Sequence, residues 1–309
     1  MRLTQAEIDR LRAERKATKE AERIARNEEA RKLNEERRLN KDVLRARQGA
    51  RLLLPIQNGC ALVVSDQHYY PGQEPSTAHR ASLVLAKKLR PFAIISNGDA
   101  IDGASISRWP VGSFTELKGR PTVAAELKEA AARLADYERL TSPRWLVWNL
   151  GNHDARFETR LAEHAPEYAG VNGFSLKDHF GGWLPAWRTD FVAMEHAVPE
   201  VIVKHRFKGG EYAANNNSRH AGTSTVTGHD HMLWAKALTD VRGLRWGIDA
   251  GTTAPVESRH FLHYTEDNVQ NWQSGFVLLH FHGGRFIGPE LIYVLSEGRI
   301  AFRGAVLKV

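Results

Sequence analysis

Residues 61–68 read Ala-Leu-Val-Val-Ser-Asp-Gln-His, a short apolar run that ends in two potential metal ligands, Asp66 and His68. A run of this length, rich in β-branched residues, is typical of a buried strand. Because side chains alternate along an extended chain, Asp66 and His68 lie on the same side of it. The stretch therefore predicts a buried strand that delivers a carboxylate and an imidazole to one place.

Four further apolar runs end in the same way, in clusters of Asp, Asn or His. They are Phe92–Ser96 before Asn97-Gly98-Asp99, Trp145–Leu150 before Gly151-Asn152-His153-Asp154, Val201–Lys204 before His205, and Ser224–Thr227 before Gly228-His229-Asp230-His231. In open α/β sheets, ligands bind at the carboxyl ends of the strands. We therefore expect the five clusters to meet at one sheet edge.

Helical patterns separate the first runs. Residues 76–90 and 122–140 carry apolar residues at helical spacing, and the first of these segments begins at Ser76, which can cap a helix. Strands that alternate with helices predict parallel βαβ units. The pattern from 276–281 to 291–295 is strand-like, and it predicts a second sheet packed on the first. The fold class expected from the sequence is therefore α/β.

The candidate ligands are imidazoles, carboxylates and one amide, with no thiolate among them. Such nitrogen and oxygen donors suit first-row divalent ions. The spacing His229-Asp230-His231 lets both imidazoles point together while Asp230 points away. We expect Gly98, Gly151 and Gly228 to permit the sharp turns that a crowded ion pair needs.

The order Asp-x-His, Gly-Asp-x-x-Asp, Gly-Asn-His-Asp, strand-His and Gly-His-x-His, over about residues 61–231, resembles that of the calcineurin-like metallophosphoesterases. The resemblance implies that family's four-layer fold, in which two packed mixed β-sheets are flanked by helices. Residues 98–108, Arg156 and residues 271–276 resemble phage-encoded members, and the chain resembles SbcD-type nucleases more distantly.

The resemblance also implies two divalent metal ions that share Asp99. One ion would take Asp66, His68, Asp99 and His231, and the other Asp99, Asn152, His205 and His229. Manganese is the expected metal, with iron, zinc, nickel and cobalt as alternatives. His220 is the alternative to His205, because His205 is followed by Arg206 where many members have a small residue.

By the same resemblance, His153 is the catalytic histidine and Asp102 the acid that orients it. We expect His153 to protonate the leaving oxygen. Arg108 and Arg156 are the candidate substrate-binding residues, since guanidinium groups pair with phosphate. Gly103 stands where phosphoprotein phosphatases of this superfamily carry an arginine, and its presence favours a phosphodiester over a monoester.

These patterns predict two-metal-dependent hydrolysis of phosphate esters, with a phosphodiester of nucleic acid or of a nucleotide as the substrate. A phosphomonoesterase acting on a protein or a small molecule is the first alternative. A non-catalytic binding or scaffold protein is the second. In such a protein we would expect at least one metal ligand of the motif series to be replaced, and here every ligand position is filled.

The charge of the chain is unevenly distributed. Residues 1–51 hold 16 of its 43 Lys and Arg and 10 of its 36 Asp and Glu, and residues 52–309 hold the other 27 and 26. Residues 4–47 lack Pro and Gly, which predicts a charged helical arm. We expect an arm over 1–51 that is solvated, self-associates or contacts DNA or RNA, then a linker over 49–59 and a catalytic domain over 52–309.

No apolar run approaches the ~20 residues that a membrane span needs. The first fifty residues contain no apolar segment of the kind found in secretory signals. The single cysteine, Cys60, cannot form an internal disulfide. The sequence therefore predicts a cytoplasmic protein without a membrane partner, in the host cytoplasm if a phage encodes it.

Overall fold

A computed structural model describes residues 51–107, 119–193, 198–258, 261 and 268–309, with residues 19, 20, 23 and 28 of the amino-terminal region. The chain divides into two compact units, Met1–Arg47 and Gln48–Val309. The four described residues of the first unit are helical and exposed, and Arg23 forms an ion pair with Glu20 at 2.6 Å. The rest of the predicted arm, together with Arg108 and Trp109, lies outside the described residues.

The second unit contains two β-sheets. Its strands are β1 Leu52–Pro55, β2 Gly59–Val64, β3 Ala93–Asn97, β4 Trp145–Asn149, β5 Leu184–Ala186, β6 Thr189–Val192, β7 Pro199–Val203, β8 Ser224–Thr227, β9 Leu233–Asp240, β10 Gly243–Ala250, β11 Gly275–His282, β12 Arg285–Ser296, β13 Arg299–Phe302 and β14 Ala305–Lys308. The first sheet has the order β14-β13-β12-β11-β2-β3-β4-β5, and the second has the order β1-β6-β7-β8-β10-β9. Both sheets are mixed.

Four α-helices lie between the strands of the described chain: α1 Thr77–Leu89, α2 Val123–Leu140, α3 Ala155–His164 and α4 Ala213–Ala221. Short 3₁₀ turns occur at Ala104–Ile106, Pro166–Tyr168 and Leu176–Asp178. The hydroxyls of Ser76 and Thr122 accept backbone N–H bonds from His79 and Ala125, so both act as amino-terminal caps of α1 and α2. None of the described helices is long and apolar enough to cross a membrane.

The predicted βαβ units are present in the first sheet, where β2, β3, β4 and β5 run parallel to one another. The prediction that the carboxy-terminal strands form the second sheet is wrong. Strand β11 pairs antiparallel with β2, placing residues 275–308 in the first sheet. Backbone pairing between segments far apart in sequence decides sheet membership, and apolar alternation along one strand carries no information about its partner.

The predicted linker over 49–59 also differs from the structure in its described part. Residues 52–55 form β1, which pairs in parallel with β6, and Leu54 is fully buried. Arg51 forms an ion pair with Asp190 at 2.5 Å. Residues 52–55 therefore belong to the second sheet, and Arg51 is held to it by the ion pair with Asp190.

Alternation along β2 shows how the layers pack. Leu62 and Val64 face α1 and α2, with Leu85 and Leu134 in the same apolar cluster. Ala61 and Val63 face the opposite way, into a second cluster that joins the two sheets and includes Phe191 and Val226. Each fully buried Leu or Val contributes about 1.5–3 kcal/mol.

Helix α4 covers the outer face of the second sheet. A Cβ at Gly247 of β10 would lie 2.0 Å from the Ala214 carbonyl oxygen of α4, so the helix approaches the strand closely there. The order is thus helices, sheet, sheet, helix. The predicted class, α/β with two packed mixed sheets flanked by helices, is confirmed.

Candidate metal centre

The loops after five strands carry the predicted metal ligands. Strands β2, β3 and β4 of the first sheet lead to Asp66 and His68, to Asp99 and to Asn152, and strands β7 and β8 of the second sheet lead to His205 and to His229 and His231. The prediction of a single sheet edge is therefore wrong. The side chains meet where the carboxyl ends of strands from two facing sheets come together.

One group of donors consists of Asp66, His68 and His231, each offering a ligand atom within 4.8 Å of the others. The Nε2 atoms of His68 and His231 are 3.3 Å apart, and His231 Nε2 is 3.2 Å from Asp66 Oδ1. The other ring nitrogen of His68 lies 3.2 Å from the Asp102 carboxylate. A carboxylate in this position orients a ligating imidazole and makes it more basic.

A second group consists of Asp99, His205 and His229, again within 4.8 Å of one another. His205 Nε2 lies 3.1 Å from Asp99 Oδ2 and 3.3 Å from the Asn152 side-chain oxygen. The other His205 ring nitrogen is 2.8 Å from the Asn97 carbonyl oxygen, which can accept a hydrogen bond from its N–H. The structure thus brings Asn152 and His205 into this group.

The alternative ligand, His220, lies elsewhere. It is on α4, and its Nδ1 is 3.5 Å from the Lys208 ammonium nitrogen. His205, by contrast, is fully buried beside Asp99.

The two groups are connected through backbone bonds. The backbone amide of His229, in the second group, donates to both carboxylate oxygens of Asp66, in the first group, at 3.1 and 3.0 Å. The His153 amide donates to Asp99 Oδ1 at 2.8 Å, leaving Oδ2 facing His205. The donors therefore form one continuous centre.

Left-handed backbone conformations are concentrated in these loops. Seven described non-glycine residues have positive φ, and five of them are candidate ligands, the other two being Arg90 and Arg303. The five are Asp66 at 52°, His68 at 43°, Asp99 at 53°, His229 at 78° and His231 at 57°. Each such residue costs about 1–3 kcal/mol, and strain of this kind clusters at functional sites. The loops are thus held in shapes that local preference opposes.

The glycines beside the ligands are there for two different reasons. Gly98 has φ of 87°, and a Cβ there would also lie 2.4 Å from the His205 ring. Gly151 and Gly228 have ordinary φ. A Cβ at Gly151 would lie 2.0 Å from Asp99 Oδ1, and one at Gly228 would lie 2.6 Å from Asp66 Oδ2. Close approach of ligand side chains, more than turn geometry, requires these glycines.

Asp154, the last residue of Gly-Asn-His-Asp, has a structural role that the sequence did not indicate. The fully buried carboxylate of Asp154 accepts backbone N–H bonds from Asp99 and Gly151 at 2.9 Å. It also accepts bonds from the amides of Ala100 and Ile101 and from the Trp148 indole. Asp154 thus ties the loop after β3 to the loop after β4. Its sequence signal, an Asp at a helix start, resembles that of an ordinary cap.

His153, Asp102 and Arg156 form a cluster at the rim of the centre. His153 Nδ1 lies 2.8 Å from the Asp102 carbonyl oxygen and 3.1 Å from its carboxylate. His153 Nε2 is 4.0 Å from Asp99 Oδ2 and 3.1 Å from a guanidinium nitrogen of Arg156. The guanidinium also donates to the Asp102 carbonyl at 2.8 Å.

Gly103 lies against Arg156. It has φ of 63°, and a Cβ there would lie 3.3 Å from Arg156 Cδ. Nothing in the sequence indicates that Gly103 and Arg156 are in contact. In the structure, the Arg156 side chain occupies the space beside the glycine, so a cation from α3 stands near the point where an arginine after Asp102 would begin.

Charge balance in the centre is shown by its pKa shifts. Burial raises the pKa of Asp66, but His205 and His231 reverse this effect and bring it to about 2. Burial lowers the pKa of His205, but Asp99 and Asp66 outweigh burial and raise it to about 10. Burial also raises the pKa of Asp99, but His205 outweighs burial and lowers that pKa, so Asp66 and Asp99 are both ionised at neutral pH and favour a bound cation.

Aromatic side chains border the first group. The Phe261 ring is 5.5 Å from the His68 ring, and the Trp272 ring is 4.5 Å from the His231 ring. Phe261 and Trp272 themselves are 5.7 Å apart. Trp272 belongs to the segment 271–276 that sequence analysis associated with phage proteins, whereas Phe261 had no distinguishing signal.

The donors fit a pair of divalent ions. Every candidate ligand offers nitrogen or oxygen, the donor types that manganese, iron and zinc accept. His231 Nδ1 is buried with no partner among the described residues, although buried ring nitrogens are normally paired. Four imidazole rings and two carboxylates packed this closely are satisfied best by shared cations.

Fold and site together define an α/β protein with a candidate two-metal centre between its sheets. No protein-family model and no curated protein matches the chain. Solved structures that are similar to it include the following three. Zinc-complexed Vps29 from Entamoeba histolytica has a TM-score of 0.37 and 13% identity, with 80% of this chain and 96% of that chain covered. A metallophosphoesterase from Sphaerobacter thermophilus has a TM-score of 0.34 and 16% identity, with 63% of this chain and 77% of that chain covered. Nuclease MPE from Pseudomonas putida has a TM-score of 0.26 and 14% identity, with 74% of this chain and 87% of that chain covered. At TM-scores this low, these similarities carry no information about function.

Proposed function

We propose that the protein is a two-metal hydrolase of phosphate esters. The observation that carries the proposal is the meeting of two donor groups, Asp66–His68–His231 and Asp99–His205–His229, beside His153. The resemblance of the motif series to the calcineurin-like metallophosphoesterases supports the same reaction. The proposed ions share Asp99, and Asn152 completes the second set.

Two divalent ions, when bound, supply an activated water molecule and offset the negative charge of the phosphoryl oxygens. His153 is held at Nδ1 by Asp102, which leaves Nε2 directed to the centre. We assign His153 to protonation of the leaving oxygen and Asp102 to the orientation of its ring. Arg156 would bind a phosphoryl oxygen, because it has five N–H donors and lies beside His153.

For the substrate we propose a phosphodiester of nucleic acid or of a nucleotide. Phe261 and Trp272 border the first donor group, and aromatic faces of this kind stack nucleobases with about 1–3 kcal/mol per base. The basic arm, with 16 cationic and 10 acidic residues in 1–51, would hold a polyanion by counterion release.

A phosphomonoesterase is the second candidate, and one observation favours it. Arg156 of α3 lies next to Gly103 and His153. It could therefore replace the arginine that phosphoprotein phosphatases carry at the position of Gly103. A monoester carries nearly two negative charges and benefits more from such a clamp than a diester does.

The test combines metal analysis with a substrate panel. Purified protein is expected to bind two metal ions per chain. Manganese is expected to support higher activity than iron, zinc, nickel or cobalt. The ratio kcat/KM is then measured for matched aryl diesters and monoesters at fixed Mn²⁺, and for single- and double-stranded DNA at two salt concentrations. Preference for the monoester with no cleavage of DNA would select the second candidate. A metal-loaded protein that hydrolyses no ester would leave only the binding or scaffold function.

A matched pair of variants separates the two candidates further. Arg156→Gln removes the charge but keeps a hydrogen-bonding group, and Arg160→Gln removes a charge one helical turn away on α3. If the monoester is the substrate, Arg156→Gln lowers kcat/KM for the monoester more than for the diester. Equal losses on both esters favour the diesterase, and Arg160→Gln is expected to change neither.

A further inference from the structure

A cationic cavity of about 330 Å³ lies on the outer face of the second sheet, away from the metal centre. It runs over β7 and β8 and is bordered by the carboxyl end of α4 and by the β9–β10 turn. Val203 and Val226 face the inter-sheet core, so Ile202, Lys204 and Thr225 point outward into the cavity. Its volume lies within the ~300–1,000 Å³ range of small-molecule sites.

Four cations line this cavity: Arg51, Arg188, Lys204 and Arg242. None of the described lining residues is acidic. The concentration is notable because residues 52–309, which contribute three of the four, are almost neutral, with 27 basic and 26 acidic residues. A cavity whose walls carry one sign of charge attracts counter-ions more strongly than a flat surface does.

Two of the cations are fixed in place by a buried carboxylate. Asp190 is fully buried, and its oxygens lie 2.5 Å from Arg51 and 2.5 Å from Arg188. One negative charge is therefore shared by two guanidinium groups, which leaves net positive charge at this wall. Each guanidinium has five N–H donors, and Asp190 contacts two nitrogen atoms of each.

A buried hydroxyl gives a second, independent indication of a ligand. Thr225 lines the cavity and is 2% exposed, yet its Oγ1 has no hydrogen-bond partner among the described residues. Buried polar groups are nearly always paired, because leaving one unpaired costs about 1–3 kcal/mol. A polar ligand in the cavity would supply the missing partner.

The cavity also has an aromatic wall. The Lys204 ammonium nitrogen lies 5.4 Å from the centre of the Phe207 ring, and the His220 ring lies 5.5 Å from it. Phe207 is 37% exposed, so part of its ring remains accessible. Cations beside an accessible aromatic face are the combination that binds a phosphate together with its base.

We propose that this cavity binds a nucleotide, with the phosphate against Thr225 and the cations Arg51, Arg188, Lys204 and Arg242, and the base against Phe207. The phosphate can belong to a free nucleotide or to a strand of nucleic acid, and the chemistry recognised is the same. The site is separate from the metal centre and does not depend on hydrolysis.

Photolabelling of the full chain with 8-azidoadenosine monophosphate locates the site. Peptide mapping is expected to find the label on the segments that contain Phe207 and His220, with saturation that defines a Kd for this site alone. Label that occurs only on peptides of the metal centre, or is scattered over the surface, would overturn the proposal.

Matched variants test the groups involved. Thr225→Val keeps the shape and removes the unpartnered hydroxyl, and Arg242→Gln removes an exposed charge. Each is expected to raise the Kd at the Phe207 segment by roughly tenfold. Lys87→Gln, an exposed lysine on α1, removes the same charge elsewhere and is expected to have no effect. An unchanged Kd in both cavity variants would contradict the proposal, while Thr225→Val is expected to hydrolyse an aryl phosphoester at the wild-type rate.

Competition distinguishes the source of the phosphate. Adenosine monophosphate that displaces the label indicates a free nucleotide, and a single-stranded oligonucleotide that displaces it at lower concentration indicates a strand. Adenosine is expected to compete poorly because it lacks the phosphate. If adenosine competes as well as its monophosphate, phosphate recognition is refuted.

Discussion

At the residue scale, the centre depends on backbone conformations that residues other than glycine seldom adopt. Five candidate ligands have positive φ. Ladder-like bonds hold two of the loops, with the Asp66 amide on the Gly98 carbonyl at 3.0 Å and the His68 amide on the Asp99 carbonyl at 2.9 Å. The strain is thus offset by contacts between loops of neighbouring strands, so each loop needs the others to keep its shape.

A first prediction concerns His153. Its ring belongs to neither Asp66–His68–His231 nor Asp99–His205–His229, and it lies instead with His68 and Asp102. His153→Asn is therefore expected to lower kcat by roughly 10²–10⁴-fold. Metal content, measured on the same preparation, is expected to remain at the wild-type value. Loss of metal together with activity would make His153 a ligand.

A second prediction concerns Gly151, where an added Cβ would lie 2.0 Å from Asp99 Oδ1 and 2.2 Å from the Asp99 backbone nitrogen. Overpacking of this kind typically costs about 1–3 kcal/mol. Gly151→Ala is expected to fold with lower stability and to lose most bound metal and ester hydrolysis, because Asp99 has to move. Metal analysis and denaturant unfolding measure both effects.

The control for this variant is Gly181→Ala. Gly181 has ordinary φ, and a Cβ there meets nothing within 4 Å. Its stability is expected to stay within about 0.5 kcal/mol of wild type. If Gly151→Ala retains full metal content, the close approach to Asp99 is not what requires the glycine.

Sequence reasoning was effective for single residues at strand ends and ineffective for contacts between loops. Asp66, His68, Asp99, Asn152, His205, His229 and His231 all follow apolar runs, and the structure brings them together. Three of the five bonds to Asp154, and the packing of Arg156 on Gly103, join segments about 50 residues apart, and no local pattern encodes such contacts. Arg108 lies outside the described residues.

At the scale of elements, the parallel strands β2, β3 and β4 and the helices α1 and α2 could be predicted from periodicity and capping residues. Sheet membership could not. Strands β7 and β8 look like continuations of the same series, yet they pair within the other sheet, and β11 returns to β2. The hydrogen-bonding edge of a strand is the same whichever sheet receives it, so only tertiary packing decides the outcome.

A third prediction belongs to β10. Asp249 is buried and accepts bonds from the Thr227 hydroxyl at 2.5 Å and the Trp234 indole at 3.1 Å. Burial raises its pKa to about 7 from the ordinary 3.8, and nearby Asp230 and Asp66 add to the effect. The folded state therefore holds this proton more tightly than the unfolded state. The resulting stability is fully present below pH 3.8 and is lost as pH rises through about 7.

The measurement is the difference in free energy of unfolding between wild type and Asp249→Asn, from denaturant titrations between pH 4.5 and 6.5. Wild type is expected to lose about 1.4 kcal/mol per pH unit relative to the variant. Comparison of the two proteins cancels the titration of all other groups. A constant difference across this range would show that Asp249 is ionised in the folded protein.

At the scale of the whole molecule, a fourth prediction concerns where the catalytic unit begins. Leu54 and Ile56 are buried, and Arg51 pairs with the fully buried Asp190. A chain that starts at residue 48 keeps all three. It is expected to fold, bind metal and hydrolyse a small aryl ester at the rate of the full chain, since every candidate ligand is retained.

The matched truncation starts at residue 57 and removes β1. It is expected to be insoluble or to unfold at a much lower temperature, because the buried side chains lost contribute about 1.5–3 kcal/mol each and Asp190 keeps only Arg188. Thermal unfolding and ester hydrolysis compare the two chains. Inactivity of the longer chain on a small ester would place residues 1–47 within the site.

The union of two sheets in one centre has a consequence for folding kinetics. His68 and His231 are separated by 163 positions, as are His229 and Asp66. Chain closure over such separations is slow, because entropy is lost before the contact is made. A complete set of ligands exists only after β8 has joined the second sheet. Metal uptake during refolding should therefore lag behind the formation of secondary structure, and tight binding would mark the end of the folding process.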